Sequence, residues 1–205
     1  MKNFIYLAIG SFFLMASCES KKNANTESVA SDSADVPTAI NNDSCPGGVY
    51  IKYAHVYNNF IVENQGYILE TNIEFVKAVR RQEPNEIVEG FYKSLKEQTK
   101  YSIDTVSKLC AFNGDLDYKN TAIALFKFYD EIWEDYRSLL TIKNKDERAK
   151  VLEVIKVKFN EAHSKREKML EKDFEKASTK FINEYKLHIR RTHLHERQDS
   201  LLFLK

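Results

Sequence analysis

From Val49 to Tyr185 the chain repeats apolar residues every three or four positions, with three short interruptions. That spacing lines side chains along one stripe of an α-helix, whereas a strand needs alternation. Four segments carry it. The first, Val49 to Arg80, includes Tyr53, Val56, Tyr57, Phe60, Ile61, Ile68, Phe75 and Val79, with Asn64-Gln65-Gly66 as an expected interruption or bend. The second, Pro84 to Cys110, includes Val88, Phe91, Leu95, Ile103 and Val106. The third, Asp117 to Thr141, is the most regular, and the fourth runs from Asp146 to at least Tyr185. Six glycines and three prolines in 205 residues leave little material for a turn-dense β architecture.

The interruptions carry helix-end chemistry. Pro84 fits only the first turn of a helix. Asn113-Gly114-Asp115 offers a left-handed turn followed by acidic caps, and Asn144 with Glu147 has the spacing of a capping box. Connections this short make sequential helices antiparallel. The predicted fold is all-α: an up-down-up-down antiparallel four-helix bundle over 49–190, followed by a basic and apolar tail over 191–205. The C-terminal helix is overlong. From Asp146 to Arg191 it would measure ~69 Å, against ~40 Å for the second helix. It must therefore project or break, and Arg166, in step with the apolar stripe, is the expected break or bundle edge.

The N-terminus reads as an address. Met1-Lys2-Asn3 is a charged start, Phe4 to Met15 is apolar, and Ala16-Ser17-Cys18 follows. The pattern is that of a secretory signal, and the apolar run is shorter than the ~20 residues a bilayer span requires. With its cysteine after Ala-Ser, the segment resembles a bacterial lipoprotein signal over 1–17, with Cys18 acylated at the mature N-terminus. It departs from that pattern at Met15, where the family usually has leucine; Leu14 stands one position earlier. An ordinary cleaved signal with an incidental cysteine is the competing reading. Glu19, rather than aspartate, follows the cysteine. By resemblance to enteric lipoproteins this directs the protein to the outer membrane, lipid-anchored, on the periplasmic or the surface face. Stable anchoring takes two or more lipid chains. Residues 18–48 then form a tether: 19–44 is polar and aperiodic, with a reach of ~25–30 Å.

Without its first 17 residues the chain has equal numbers of basic and acidic groups, so no net field favours nucleic acid. Cys45 and Cys110 remain as a pair. Cys45 precedes helix one and Cys110 ends helix two, which returns antiparallel, so both belong to the same end of the bundle. A disulfide suits an exported chain. The alternative is a buried Cys110 and a free Cys45 thiol.

Catalytic and metal motifs fit poorly. Glu161-Ala162-His163 lacks the Glu-x-x-His spacing of a bundle metal site, and His195-Glu196 is followed three residues on by Asp199 where a zinc protease needs histidine. His188, His193 and His195, with Glu184, read as a solvated basic helix end. Asn113, Asp115 and Asp117 begin like a calcium loop, but Tyr118 and Ala124 occupy the sixth and twelfth positions, which need Gly and Glu. No phosphate loop or nucleophile elbow is present. The acidic residues are read as a solvated surface. Neither an enzyme nor a cofactor or metal is expected.

Tyr118, Phe126, Tyr129, Trp133 and Tyr136 share one stripe on the third helix. It reads first as core. Tyr129, Trp133 and Tyr136 are the candidates should it form a groove for an apolar or sugar-like ligand. Three features together resemble helical-bundle surface lipoproteins of Gram-negative bacteria. They are the lipobox, the run Phe112-Asn113-Gly114-Asp115 leading to Tyr118-Lys119 and Phe128-Tyr129, and Phe159-Asn160-Glu161-Ala162. The likeness covers most of 50–185 through motifs that mark helix ends and core, and the family has no established activity to carry over. The expected function is a non-catalytic, membrane-anchored envelope lipoprotein that binds a protein or an envelope component. A small-ligand or metal carrier is the first alternative, and an envelope inhibitor or immunity-like protein the second.

Overall fold

The computed structural model describes residues 45–188. Four α-helices and one 3-10 segment make up this body, and among the described residues there is no strand, only two isolated β-bridges. Helix α1 spans Ala54–Arg80, α2 Asn85–Ser107, α3 Asp117–Trp133 and α4 Lys145–Glu184, with the 3-10 segment Glu134–Thr141 continuing α3.

Helix α1 begins five residues later than its periodicity predicts. Val49 is held instead by Leu109: its N–H donates to Lys108 O (2.7 Å) and its carbonyl accepts from Cys110 N (2.9 Å). Asn64-Gln65-Gly66 does not interrupt the helix. All three are buried within α1, where Asn64 Nδ2 donates to Phe60 O at 2.8 Å. At the far end Gln82 takes a left-handed φ of 58°, which lets Gln82 N reach Val79 O and Glu83 N reach Ala78 O before Pro84 opens the next helix. Asn113 and Gly114, at φ 48° and 83°, form the tight turn between α2 and α3, closed by reciprocal Phe112–Asp115 backbone bonds of 3.1 and 2.9 Å. Asp115 Oδ1 then accepts from Asp117 N at 2.7 Å. At the start of α4, Asn144 Oδ1 accepts from Glu147 N at 3.0 Å.

Two expectations for the later helices need correction. The third segment does not stay α-helical to Thr141; it tightens to 3-10 geometry from Glu134, still burying Tyr136 and Leu139. Helix α4 is 40 residues long, ~60 Å, and does not break at Arg166. Arg166 is exposed and forks onto Glu131 with its guanidinium 5.1 Å from the Phe128 ring centroid, so it bridges α4 to α3. The helix stops at Glu184, short of Arg191, because Lys186 at φ 50° turns the chain and Leu187 N returns to Ile182 O.

Each helix packs on its sequence neighbour, and α4 also packs on α1. Tyr57 near the start of α1 stacks on Phe181 near the end of α4. At the opposite end Gln82 Nε2 donates to Asp146 Oδ1 and the buried Arg148 donates to Glu83 O. One apolar core runs between these ends, from Tyr57, Phe112, Tyr118 and Phe181 to Phe75, Tyr92, Tyr136 and Leu152.

Candidate functional site

Cys18, the 19–44 tether, the signal segment and the tail with His193 and His195 lie outside the described residues. The other candidates can be located. The structure brings Cys45 and Cys110 together as a disulfide with a Cα–Cα distance of 5.7 Å. Gly48 lies against it. A Cβ on Gly48 would overlap Cys45 Sγ and lie 2.8 Å from Cys110 Sγ, so glycine is required by close approach. The bridge and the Val49–Leu109 pairing fasten the entering chain to the end of α2. Residues 45–48, assigned to the tether by sequence, are therefore tied to the body.

Tyr129, Trp133 and Tyr136 are all buried and stack in order. The ring centroids of Tyr129 and Trp133 are 5.8 Å apart, and those of Trp133 and Tyr136 are 5.7 Å apart. The stack follows from i, i+4, i+7 spacing across the α3-to-3-10 junction. Trp133 Nε1 donates to Thr99 Oγ1 of α2 at 2.9 Å, and Thr99 donates onward to Leu95 O. Tyr136 packs on Phe75 of α1. The Tyr129 hydroxyl is buried with no hydrogen-bond partner.

Sequence reasoning placed the acidic residues on solvated faces, and here it missed the chemistry of the core. Glu167 is 3% exposed, Glu171 stands one turn on, and Glu167 Oε2 and Glu171 Oε1 are both buried without partners. Burial, then the neighbouring Glu171, raises the Glu167 carboxyl to about 8, with Lys168 opposing. Burial raises Glu171 to about 7, again against Lys168. Burial and then the charges of Glu171 and Glu167 push the Tyr129 phenol well above its usual range, so the two carboxyls and this hydroxyl share one electrostatic neighbourhood. Glu167 also acts on Tyr136, whose phenol is raised first by burial. The signal was available: His163, Glu167, Glu171 and Phe174 step by four, four and three along α4, in phase with its apolar stripe.

Other buried polar groups on α1 complete the picture. Asn64 Oδ1 and Asn72 Oδ1 are buried and unpaired, although Asn64 O accepts from Ser102 Oγ at 3.2 Å. On α4, Lys156 is 4% exposed and engages Glu153 at 2.6 Å; burial lowers its ammonium pKa. His163 faces Asp135 at 3.9 Å and the rings of Phe128 and Phe159. Among the described residues no group of three or more His, Cys, Asp or Glu is arranged to hold a metal ion. None of the described helices is long and apolar enough to cross a membrane. Glu167, Glu171 and Tyr129 thus form a buried acidic and phenolic neighbourhood beside the aromatic stack. No protein-family model matches the chain, and neither a curated protein nor a solved structure is significantly similar to it.

Proposed function

We infer that the protein is a lipid-anchored lipoprotein of the bacterial outer membrane, related in kind to helical-bundle surface lipoproteins, that acts by binding rather than by turnover. In this reading Cys18 carries the lipid and residues 19–44 are the tether. The body is an antiparallel up-down-up-down four-helix bundle offered to a protein or envelope partner on the periplasmic or surface face. The observation that carries it is the Cys45–Cys110 disulfide, seated where the tether joins the body. Such a bond belongs to an oxidising compartment, which is where the N-terminal signal would deliver the chain. The bond also transmits any pull on the tether directly to the end of α2.

The test is membrane fractionation with cross-linking in cells, comparing the native chain with Cys18→Ser. The native chain should pellet with outer membranes and recover a defined cross-linked partner, while Cys18→Ser should leave the membrane and lose that partner. Equal membrane retention by both forms would reject the anchor. A second reading, a small-ligand carrier, is favoured by one specific feature: the unpaired oxygens of Tyr129, Glu167 and Glu171 beside the Trp133 stack.

A further inference from the structure

We propose that the end of the body where the tether enters rests on the lipid headgroup layer of the membrane, with Val49, Tyr50, Tyr53 and Val56 as its contact residues. The proposal deepens the anchored reading and rests on it. All four side chains are exposed, Tyr50 to 51% and Tyr53 to 57%. Single exposed apolar residues are ordinary, whereas four within eight consecutive positions mark a contact surface. Their place in the body is fixed. The Cys45–Cys110 disulfide and the Val49–Leu109 pairing pin this segment to the end of α2, and Tyr57 packs on Phe112 and Phe181 just behind it. Lys52 Nζ lies 5.5 Å from the Tyr53 ring centroid, and the His55 ring stacks on Tyr53 at 5.8 Å.

Charge distinguishes this end from the other. From Cys45 to Val62 the chain has no Asp or Glu. This is the longest such run among the described residues, 18 positions against 12 for the next, 118–129. An anionic lipid surface therefore meets no repelling carboxylate on the segment. Asp115 and Asp117 in the adjoining turn engage Lys180, and Asp104 on α2 engages Lys108. Glu184 at the end of α4 is followed by Lys186. The opposite end exposes Arg81, Glu86, Lys145 and Asp146, and among the described residues Ile87 is the large apolar side chain exposed there.

Tyrosine suits such a seat because its ring is apolar while its hydroxyl stays wet, and lysine keeps its ammonium at the headgroups. The anchor supplies the occupant. In the anchored reading 26 residues, 19–44, separate the lipid at Cys18 from the disulfide at Cys45. Their reach of ~25–30 Å holds the body at high effective concentration beside the bilayer, so a weak surface affinity suffices. The part held nearest the bilayer is the end that carries the disulfide. Seated so, the body presents its charged end outward.

The test couples the mature chain, from Cys18 onward, through that thiol to a maleimide lipid in vesicles of phosphatidylethanolamine and phosphatidylglycerol. Cys45 and Cys110 are bonded to each other, which leaves Cys18 as the reactive thiol. Tryptophan is introduced by Tyr53→Trp or by Ile87→Trp, and fluorescence is compared with and without brominated acyl chains. The signal added by Tyr53→Trp should be quenched at least twofold. Neither Ile87→Trp nor the native chain, whose Trp133 is buried, should be quenched. Adding Tyr50→Ser and Val56→Ser to Tyr53→Trp should at least halve the quenching, with unchanged helical circular dichroism. Equal quenching of the two probes, or none in either, would overturn the proposal. Quenching that arises only after residues 189–205 are deleted would overturn it by assigning the surface to that segment. A Tyr53→Trp blue shift that grows with protein density, in place of quenching, would assign it to a second copy. Coupling stands in for lipidation, so each of these failures removes the seat and leaves the Cys18 anchor to be judged in cells.

Discussion

Opening the Cys45–Cys110 bond should cost this body about 4 kcal/mol of stability. The bond closes a loop with a sequence separation of 65 residues. In the chain-entropy model the unfolded state then loses roughly 14–15 cal/mol/K, or ~4.3 kcal/mol at 25 °C. A body of about 140 residues has an unfolding entropy near 0.3 kcal/mol/K at its midpoint, so the double variant Cys45→Ser/Cys110→Ser should melt ~14 °C lower. The backbone pairing of Val49 with Lys108 and Cys110 remains available to the variant, so the folded state keeps its shape. The loss should therefore act largely through the unfolded chain. Thermal and urea unfolding followed by circular dichroism check both parts of this: the thermal midpoint falls, and the urea slope rises because the uncrosslinked chain exposes more surface. A midpoint within ~3 °C of the native protein, with an unchanged slope, would refute the reasoning.

Gly48→Ala should behave like a partial opening of the same bond, since the new Cβ meets both sulfurs; titration of free thiols should find Cys45 and Cys110 partly reduced, and full retention of the disulfide would contradict the close approach. Stability should fall as pH rises from about 5 to 8.5. Glu167 and Glu171 have folded values near 8 and 7, above the ordinary glutamate value of 4.5, so the folded state holds extra protons across that window and loses them as pH climbs through it. Urea midpoints at the two ends, flattened by Glu167→Gln, measure this; a midpoint that rises with pH would oppose it. Trp133→Phe keeps the ring stack but removes the donor to Thr99 Oγ1, and should cost about 1–3 kcal/mol in urea unfolding; a change below ~0.5 kcal/mol would show that bond to be immaterial.

Much of the fold was legible because helix-forming periodicity and helix-end chemistry are local. Asn144 capping Glu147 and the Asn113-Gly114 turn are each set by a few adjacent residues, and the structure shows both. What escaped was decided by distant contacts. Val49 fits the apolar spacing of α1, yet its backbone pairs with Leu109 some 60 residues on. Tyr136, Leu139 and Leu140 suit an α or a 3-10 segment, since spacings of three serve both. The tyrosine and tryptophan stripe was readable as core; its acidic neighbours fall in phase with the α4 stripe, but their residue type points to a solvated face. Glu167 and Glu171 look like ordinary surface charges until α4 is seen to turn that face toward Tyr129. The same helix hides Arg148 and Lys156, so hydrophobicity alone marks its inner face poorly.

The most direct measurement is the intact mass of the protein extracted from cell membranes, with fragmentation of its N-terminal peptide. The account predicts a mature chain that begins at Cys18 and carries acyl groups on that residue. A mature chain beginning elsewhere, or one that begins at Cys18 without lipid, would contradict it.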